Sequence, residues 1–315
     1  MSEASIPGAG DARVPVAAHL GTIFTMFAWG TLIPVTGVVL REVDAWTMAL
    51  LRIAVAAAVL LGSAVVFGGV SWLRRISWGR VLLMGIAVGG FSVIYTFGIG
   101  LSNPISAIVV SATSPAVAAL FASCVERQPM PRGAIGAFAL ATVGALVASL
   151  STGFDPSQAG LRGGEILLLI AGVCWTWYSI KAQAWFGALG QHRVTALAYL
   201  GAAGVLGTLY PLLVLAEVAV IPPVLPSPTT LGWLAWITFA ATLAGGLLWN
   251  YGVSRIGIIP VSLYLNLIPL FGILTAAGFG VYPTWLQVAG CVLVVAGVSR
   301  LRGARAVDAA KSVRE

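Results

Sequence analysis

The sequence predicts an all-α integral membrane protein in which ten transmembrane helices form two inverted five-helix repeats around a central cavity. Three observations support this fold class. Of the 315 residues, 59% are hydrophobic and only 9% are charged, and the mean hydropathy is +0.99. The apolar residues fall into ten segments along the chain. The last three segments of the first five match the last three of the second five at a fixed offset of 154 residues.

The composition identifies lipid as the solvent of this chain. A soluble domain carries roughly 25% charged residues, and an apolar chain of this kind satisfies its backbone in a bilayer by forming helices. The formal net charge of +7 does not indicate a nucleic-acid partner, because the cations lie in loops and at the C-terminus. The three cysteines are far apart in sequence, so neither a disulfide framework nor a metal site is expected.

A transmembrane helix needs about 20 apolar residues, and each apolar segment is close to this length or longer. The predicted spans are 15–40, 46–69, 80–100, 104–125, 131–151, 163–187, 193–219, 229–253, 257–280 and 284–300. Most connections are short, so neighbouring helices should be antiparallel. The predicted organisation is a cytoplasmic tail (1–14), a first repeat (15–151), a connecting loop (152–162), a second repeat (163–300) and a basic cytoplasmic tail (301–315).

The distribution of Lys and Arg orients the chain. With a cytoplasmic N-terminus, fourteen cations fall on the cytoplasmic side, and only Arg41 and Arg162 fall on the other side. Cytoplasmic loops carry an excess of positive charge, so both termini are predicted to be cytoplasmic, with the protein in a bacterial inner membrane.

The internal repeat predicts a transport function. Tyr95 matches Trp249, and Gly98 matches Gly252, at the offset of 154 residues. An odd number of helices in each repeat places the second copy upside down relative to the first. Inverted repeats are an architecture of secondary transporters, which bind their substrate where the two halves meet.

Two matched prolines, Pro115 and Pro269, lie near the middle of the spans 104–125 and 257–280. Proline has no N–H, so the carbonyls of Ser111 and Leu265, four residues earlier, should lose their helical partner. Such a break either shapes helix packing or lines a wet cavity. Its repetition at matched positions favours a gating or kink role at the cavity.

Aromatic and polar residues within the spans are the candidate substrate-binding residues. Aromatic faces with a few hydroxyl and amide groups suit an aromatic or large apolar solute with polar ends. Ordinary helix packing is the alternative for any single member. The predicted lining residues are Trp29, Tyr95, Thr96, Ser111, Trp175, Tyr178, Tyr199, Asn250, Tyr264 and Asn266.

Two cations lie inside predicted spans, and each admits two interpretations. Arg52 either holds the fold together, paired with helix carbonyls or with Glu42 or Asp44, or docks a substrate carboxylate near the outer mouth. Lys181 either extends its ammonium group toward the cytoplasmic surface or acts as an inner gate or counter-ion.

All ten acidic residues, Glu165 among them, fall in predicted loops, tails or helix ends. The sequence therefore offers no mid-membrane carboxylate to carry a proton or bind sodium, and His19 and His192 lie near helix ends. Without a phosphate-binding Gly-Lys-Ser/Thr loop, ATP drive within this chain is not expected. We expect transport down the substrate's own gradient, or a coupling that the sequence does not display.

These features together resemble the drug/metabolite transporter superfamily, in particular its ten-helix EamA-type members. The resemblance covers residues 15–300. It rests on Phe27-Ala28-Trp29-Gly30, which the segment 174–177 echoes, on Arg52 early in its span, and on the matched Gly and Pro positions. The second repeat departs from the first at Ala198-Tyr199, which stands where Leu51-Arg52 would be expected.

Within that superfamily the chain is most similar to the exporters of aromatic amino acids. This resemblance implies a basket-shaped cavity, alternating access, amino-acid substrates and a monomer or weak homodimer without a cofactor. An exporter of another metabolite or a drug-like compound is the alternative. A lipid-modifying membrane enzyme would need a convergent set of catalytic groups, which this sequence lacks, so no catalytic residue is expected. A scaffold or receptor would need a large soluble loop.

Overall fold

The computed structural model describes residues 16–102, 104–111, 163–256 and 267–293, together with scattered positions at 113–147, 261–265 and 295–296. No β-strand occurs in these parts of the chain. The helices are α1 (Val16–Val39), α2 (Ala45–Gly68), α3 (Trp78–Gly100), α4 (Pro104–Ser111), α5 (Gly164–Phe186), α6 (Gln191–Leu215), α7 (Pro228–Trp236), α8 (Gly245–Ile256) and α9 (Leu267–Gly278). A π-helical segment, Ile237–Ala244, joins α7 to α8, and residues 285–293 are also helical.

Six helical stretches of the described chain are long and apolar enough to cross a membrane. They are α1, α2, α3, α5 with its following turn to Leu189, α6, and the continuous stretch Pro228–Arg255. The prediction of apolar, membrane-spanning helices is therefore confirmed for these segments, with ends that differ from the predicted ones by a few residues. The count of ten stays a prediction, because parts of the spans 104–125, 131–151, 257–280 and 284–300 lie outside the described residues.

Local side chains determine where two of the helices begin. The Asp44 carboxylate accepts hydrogen bonds from the backbone N–H groups of Trp46 and Thr47, at 2.8 and 3.2 Å. This satisfies two of the N–H groups that a helix start leaves without an intrahelical partner. At the start of α7 the Ser227 hydroxyl accepts from Thr230 N–H, and Pro228 occupies the first turn, where its missing N–H does no harm.

The helices of each predicted half pack mainly against helices of the other half. Helix α1 packs against α8 and α9, α3 packs against α5 and α6, and α2 packs against α6. Helix α4 in turn contacts α5 and α9. The contacts of α1 with α8 and of α3 with α5 are reciprocal, since each joins the first helix of one half to the third span of the other.

A matched pair of glycines allows these reciprocal contacts. A Cβ on Gly98 of α3 would lie 2.9 Å from Leu168 Cγ on α5, and a Cβ on Gly252 of α8 would lie 2.5 Å from Thr22 Oγ1 on α1. Thr22 and Leu168 are 146 residues apart, the same offset that separates Trp29 from Trp175. Equivalent glycines thus meet equivalent positions of the opposite first helix.

Helices α3 and α6 approach most closely at Gly85 and Gly201. A Cβ on Gly85 would lie 2.5 Å from the carbonyl oxygen of Gly201, and a Cβ on Gly201 would lie 3.1 Å from Gly85 Cα. The neighbouring atoms are backbone on both sides. Both glycines lie in glycine-rich strings of the sequence, and small residues allow such close backbone approach in membrane helix packing.

Candidate functional site

Six aromatic rings form a continuous cluster between α1, α3, α5 and α8, which we term the aromatic cluster. Its members are Trp29, Phe91, Tyr95, Trp175, Tyr178 and Trp249. The Trp29 and Trp175 rings meet edge to face with centroids 5.5 Å apart, and Trp249 contacts Trp29 at 5.3 Å. Phe91 contacts Trp175 at 4.9 Å. The two first helices of the halves therefore meet at their matched tryptophans.

Four members of the aromatic cluster were among the predicted lining residues, and two were not. Phe91 stacks on Tyr95 with centroids 5.2 Å apart, and it precedes Tyr95 by one helical turn. Trp249 is the offset partner of Tyr95 in the second repeat. The sequence signal for Phe91 is its helical spacing from Tyr95. The signal for Trp249 is its match to Tyr95 in the repeat.

The π-helical segment holds two of the predicted lining residues by their polar ends. Trp29 Nε1 donates to the Ala241 carbonyl at 3.0 Å, and the Tyr199 hydroxyl donates to the Thr242 carbonyl at 2.8 Å. The Gly245–Gly246 pair leaves room for both, because a Cβ on Gly245 would lie 2.8 Å from Trp29 Nε1 and a Cβ on Gly246 would collide with the Tyr199 hydroxyl.

Asn250 lies beside the aromatic cluster as a buried and satisfied amide. Its Nδ2 donates to Thr195 Oγ1 at 2.7 Å and to the Tyr178 hydroxyl at 3.3 Å. Thr195 in turn donates to the Gln191 carbonyl at 2.7 Å. The amide thus connects α5, α6 and α8. Its predicted contact with substrate stays a prediction, since these partners use its donors in this arrangement.

Arg52 is almost fully buried, with 3% of its surface exposed. Its Nε and one terminal nitrogen donate to Ser92 Oγ on α3 at 3.1 and 2.9 Å. The acids that the sequence offered as partners are engaged elsewhere, because Asp44 caps α2 and Glu42 accepts hydrogen bonds near Ser227. Within the described part of the chain, no carboxylate pairs with this guanidinium group.

Two tyrosines lie near Arg52. Tyr95 and Tyr199 both interact electrostatically with the guanidinium group, and Tyr95 also interacts with the Ser111 side chain at the end of α4. Because no carboxylate in the described chain pairs with it, the guanidinium group is available to an anionic ligand. The structure thus places a positive group directly beside the aromatic cluster.

The other predicted residues take separate positions. Thr96 is buried and donates to the Ser92 carbonyl of its own helix at 2.7 Å. The Tyr264 hydroxyl is 2.7 Å from His19 Nδ1 on α1, a contact that the sequence did not predict.

Lys181 is half-buried, about a turn and a half before the end of α5. The side chains of Pro115 and Asn266 lie outside the described residues.

Pro269 lies near the middle of the predicted span 257–280, and its gating or kink role stays a prediction. It is the third residue of α9 and is buried, so its missing N–H belongs to a turn that lacks intrahelical partners anyway. The Leu265 carbonyl, which was expected to be unpaired, accepts from Ile268 N–H at 3.1 Å. The chain is therefore interrupted just before the proline.

A cleft of about 490 Å³ opens between the start of α6 and α8, on the predicted cytoplasmic side. Its lining comprises Gly190, Gln191, His192, Leu247, Leu248, Tyr251, Ser254 and Arg255. Its lining shares helix α8 with Trp249 of the aromatic cluster. In the described regions no group of three or more His, Cys, Asp or Glu side chains could hold a metal ion.

Comparison with known proteins identifies relatives of this chain. A model of the EamA-like transporter family matches residues 16–150 and 162–301. The uncharacterized transporter YyaM of Bacillus subtilis (strain 168) is 26% identical over 80% of this chain and 82% of its own length. An uncharacterized transporter of Archaeoglobus fulgidus is 23% identical over 89% and 95%, respectively. A solved crystal structure superposes with a TM-score of 0.66 at 18% identity, covering 93% of this chain and 99% of that one, which shows a shared fold.

Proposed function

Because the chain belongs to the EamA-like transporter family, we propose that it is a secondary transporter of the bacterial inner membrane. It exports amino acids, mainly aromatic and other large neutral ones, by alternating access. The observation that carries this proposal is the aromatic cluster with the buried Arg52 beside it. Rings provide apolar faces for a large side chain, while the guanidinium group recognises a carboxylate.

The arrangement of the two halves supports alternating access. Each half matches the family model once, and the contacts through Gly98 and Gly252 are reciprocal. We propose that the halves are the inverted repeats of a ten-helix bundle, with both termini cytoplasmic. Rocking of one half against the other would then expose the aromatic cluster first to the cytoplasm and then to the outside.

The substrate's own gradient is the simplest driving force for this cycle, and the protein works as a monomer or weak homodimer. The alternative cargo is another small metabolite or a drug-like compound, with proton coupling as the alternative drive. The burial of Glu165 favours coupling to a cation.

Uptake into proteoliposomes tests the proposal. The labelled probes are phenylalanine, tryptophan, methionine and threonine, with a quaternary-amine dye for comparison. Saturable amino-acid flux is expected, and Arg52→Lys should lower it about tenfold, because a lost charge-assisted hydrogen bond costs about 1.5 kcal/mol or more. Arg41→Lys, at an exposed cation of the adjoining loop, is the matched control and should transport normally.

Each outcome separates the components of the proposal. Absence of saturable flux for all four amino acids would reject the amino-acid assignment. Dye flux alone would replace the amino acids by a drug-like cargo. Equal flux in Arg52→Lys and Arg41→Lys would reject the docking role of Arg52 while leaving the transport assignment in place.

A further inference from the structure

Glu165 is a buried acid that the proposed transport site does not use. It is the second residue of α5 and has 6% of its surface exposed. One of its carboxylate oxygens, Oε2, has no hydrogen-bond partner in the described part of the protein. The sequence grouped Glu165 with the acids of helix ends, and its position at a helix end is as expected. Its burial is the new observation, since an acid at a helix end usually faces water.

A second buried oxygen without a partner lies against Gly164, the residue that precedes Glu165. The hydroxyl of Ser102, just beyond the end of α3, is also buried without a hydrogen-bond partner among the described residues. It touches the start of α5, because a Cβ on Gly164 would collide with Ser102 Oγ and would lie 2.5 Å from the Gly98 carbonyl oxygen. The glycine at 164 therefore lets two helix ends meet around several oxygen atoms.

The carbonyl of Gly98 belongs to the last turn of α3. The N–H of Ser102, four residues later, donates instead to the Ile99 carbonyl at 3.2 Å. The end of a helix carries partial negative charge on such carbonyls. The junction of α3 and α5 thus combines a carboxylate, a hydroxyl and a helix-end carbonyl, which are the ligand types that hard cations prefer.

Buried oxygen atoms without partners carry a free-energy cost that a bound ligand would remove. A buried polar group without a partner costs about 1–3 kcal/mol, and a charged one costs more. A bound cation would give Glu165 Oε2 the partner it lacks and would supply a counter-charge to the carboxylate. Discontinuous helix ends coordinate the coupling ions of secondary transporters in a similar way.

The surrounding protein does not supply that counter-charge within the described chain. The elements packed against α5 are α3, α4 and α6, and α4 has no titratable residue. The titratable and charged groups on α3 and α6 are Arg80, Tyr95, His192, Arg193, Tyr199 and Tyr210. None of them hydrogen-bonds to Glu165 Oε2. The cations among them lie at the starts of α3 and α6, at the opposite end from Glu165.

We propose that the junction of α3 and α5 binds a small monovalent cation, Na⁺, with Glu165 as the charged ligand. Ser102 Oγ and the Gly98 carbonyl are the neutral ligands. Because this junction lies at the predicted outer end of the bundle, the cation enters from outside. If the proposed exporter function holds, inward movement of this cation drives export, in place of the substrate gradient.

Binding of the cation is measured on the purified full-length protein in detergent, without any substrate. The first probe is ²²Na⁺ at fixed ionic strength with choline as the replacement ion. The second is the thermal unfolding temperature as a function of NaCl at fixed ionic strength. A ligand that binds only the native state raises this temperature as its concentration increases. Glu165→Gln removes the charge, Ser102→Ala removes one neutral ligand, and Glu217→Gln changes an exposed acid after α6 as the control.

We expect saturable ²²Na⁺ binding that is lost in Glu165→Gln, is weakened about tenfold in Ser102→Ala and is unchanged in Glu217→Gln. We also expect the unfolding temperature of the wild type to rise with NaCl, and this rise should shrink in Glu165→Gln. If the sodium responses are the same in wild type and Glu165→Gln, the proposal is wrong. Should Glu165→Gln fail to fold, an unchanged response in Ser102→Ala decides against it. Failure of amino-acid flux would not affect these results.

Discussion

The contact between Gly85 and Gly201 gives a prediction whose size follows from the structure. In Gly201→Ala, the new methyl group would collide with the Val81 carbonyl oxygen and lie 3.1 Å from Gly85 Cα. Both neighbours are backbone atoms, so no side chain can rotate away. Helices α3 and α6 would have to move apart by about 1 Å, and a gap of about 0.5–1 Å forfeits a quarter to a half of each dispersion contact.

The net effect combines two opposing contributions. Overpacking of this kind costs about 1–3 kcal/mol, and more where only backbone can move. Alanine recovers about 1 kcal/mol through its higher helix propensity. Gly201→Ala should therefore destabilise the protein by about 1–2 kcal/mol. Gly204→Ala is the matched control, since a Cβ there meets no atom within 4 Å and the helix propensity alone should make it neutral or stabilising.

Thermal unfolding in detergent measures this difference directly. Cys174 and Cys291 are half-buried free thiols, so a dye that becomes fluorescent on reaction with exposed thiols reports their release. Gly201→Ala should unfold several degrees below wild type, and Gly204→Ala should unfold at or above it. Equal unfolding temperatures for the two variants would show that the backbone contact does not limit the approach of α3 and α6.

Three further predictions concern polar contacts. Hydrogen bonds from Ser227 N–H, Thr230 and the Ser227 hydroxyl lower the pKa of Glu42 below its ordinary value of 4.5. The stability lost in Glu42→Gln should therefore be constant above pH 4.5 and should vanish as the pH falls through the lowered pKa. Unfolding temperatures of the variant and the wild type, measured across pH, test this. Asn250→Ala should lower stability by about 1–3 kcal/mol by removing a buried amide, whereas exposed Ser254→Ala should not. Double-mutant analysis of His19→Ala and Tyr264→Phe should give a coupling of about 0.5–1.5 kcal/mol; additive effects would exclude a stabilising bond.

Much of the helical arrangement could be predicted, because apolar length and turn residues are local properties. The start of α2 follows from Asp44, and the close approach of α3 and α6 follows from the glycine-rich strings. A break at Leu265, before Pro269, was predicted, whereas the hydrogen bond that the Leu265 carbonyl accepts from Ile268 was not. A proline excludes one hydrogen bond wherever it stands, and only the packing of the neighbouring helices decides whether the chain bends at it or restarts before it.

The site was predicted less completely, because side-chain partners depend on contacts between distant segments. Trp29 and Trp175 were identified by their repetition, and the structure brings their rings together. Ser92 as the partner of Arg52 was not foreseen, since a serine among apolar residues has no distinctive pattern. Burial of Glu165 was missed for a related reason: its position in the sequence resembles that of any solvated helix start, and only the approach of α3 encloses it.

The packing of α1 against α8 and α9 has a consequence for biogenesis. Ribosomes add about 5–20 residues per second, so on the order of ten seconds or more passes between insertion of α1 and emergence of the helices that cover its inner face. During that interval the indole N–H of Trp29, which finally donates to the Ala241 carbonyl, must be sheltered by lipid headgroups, by the insertion machinery or by temporary neighbours. A truncated chain that stops before residue 241 would leave this group without its final partner, so quality control can recognise incomplete copies by this exposed polar group.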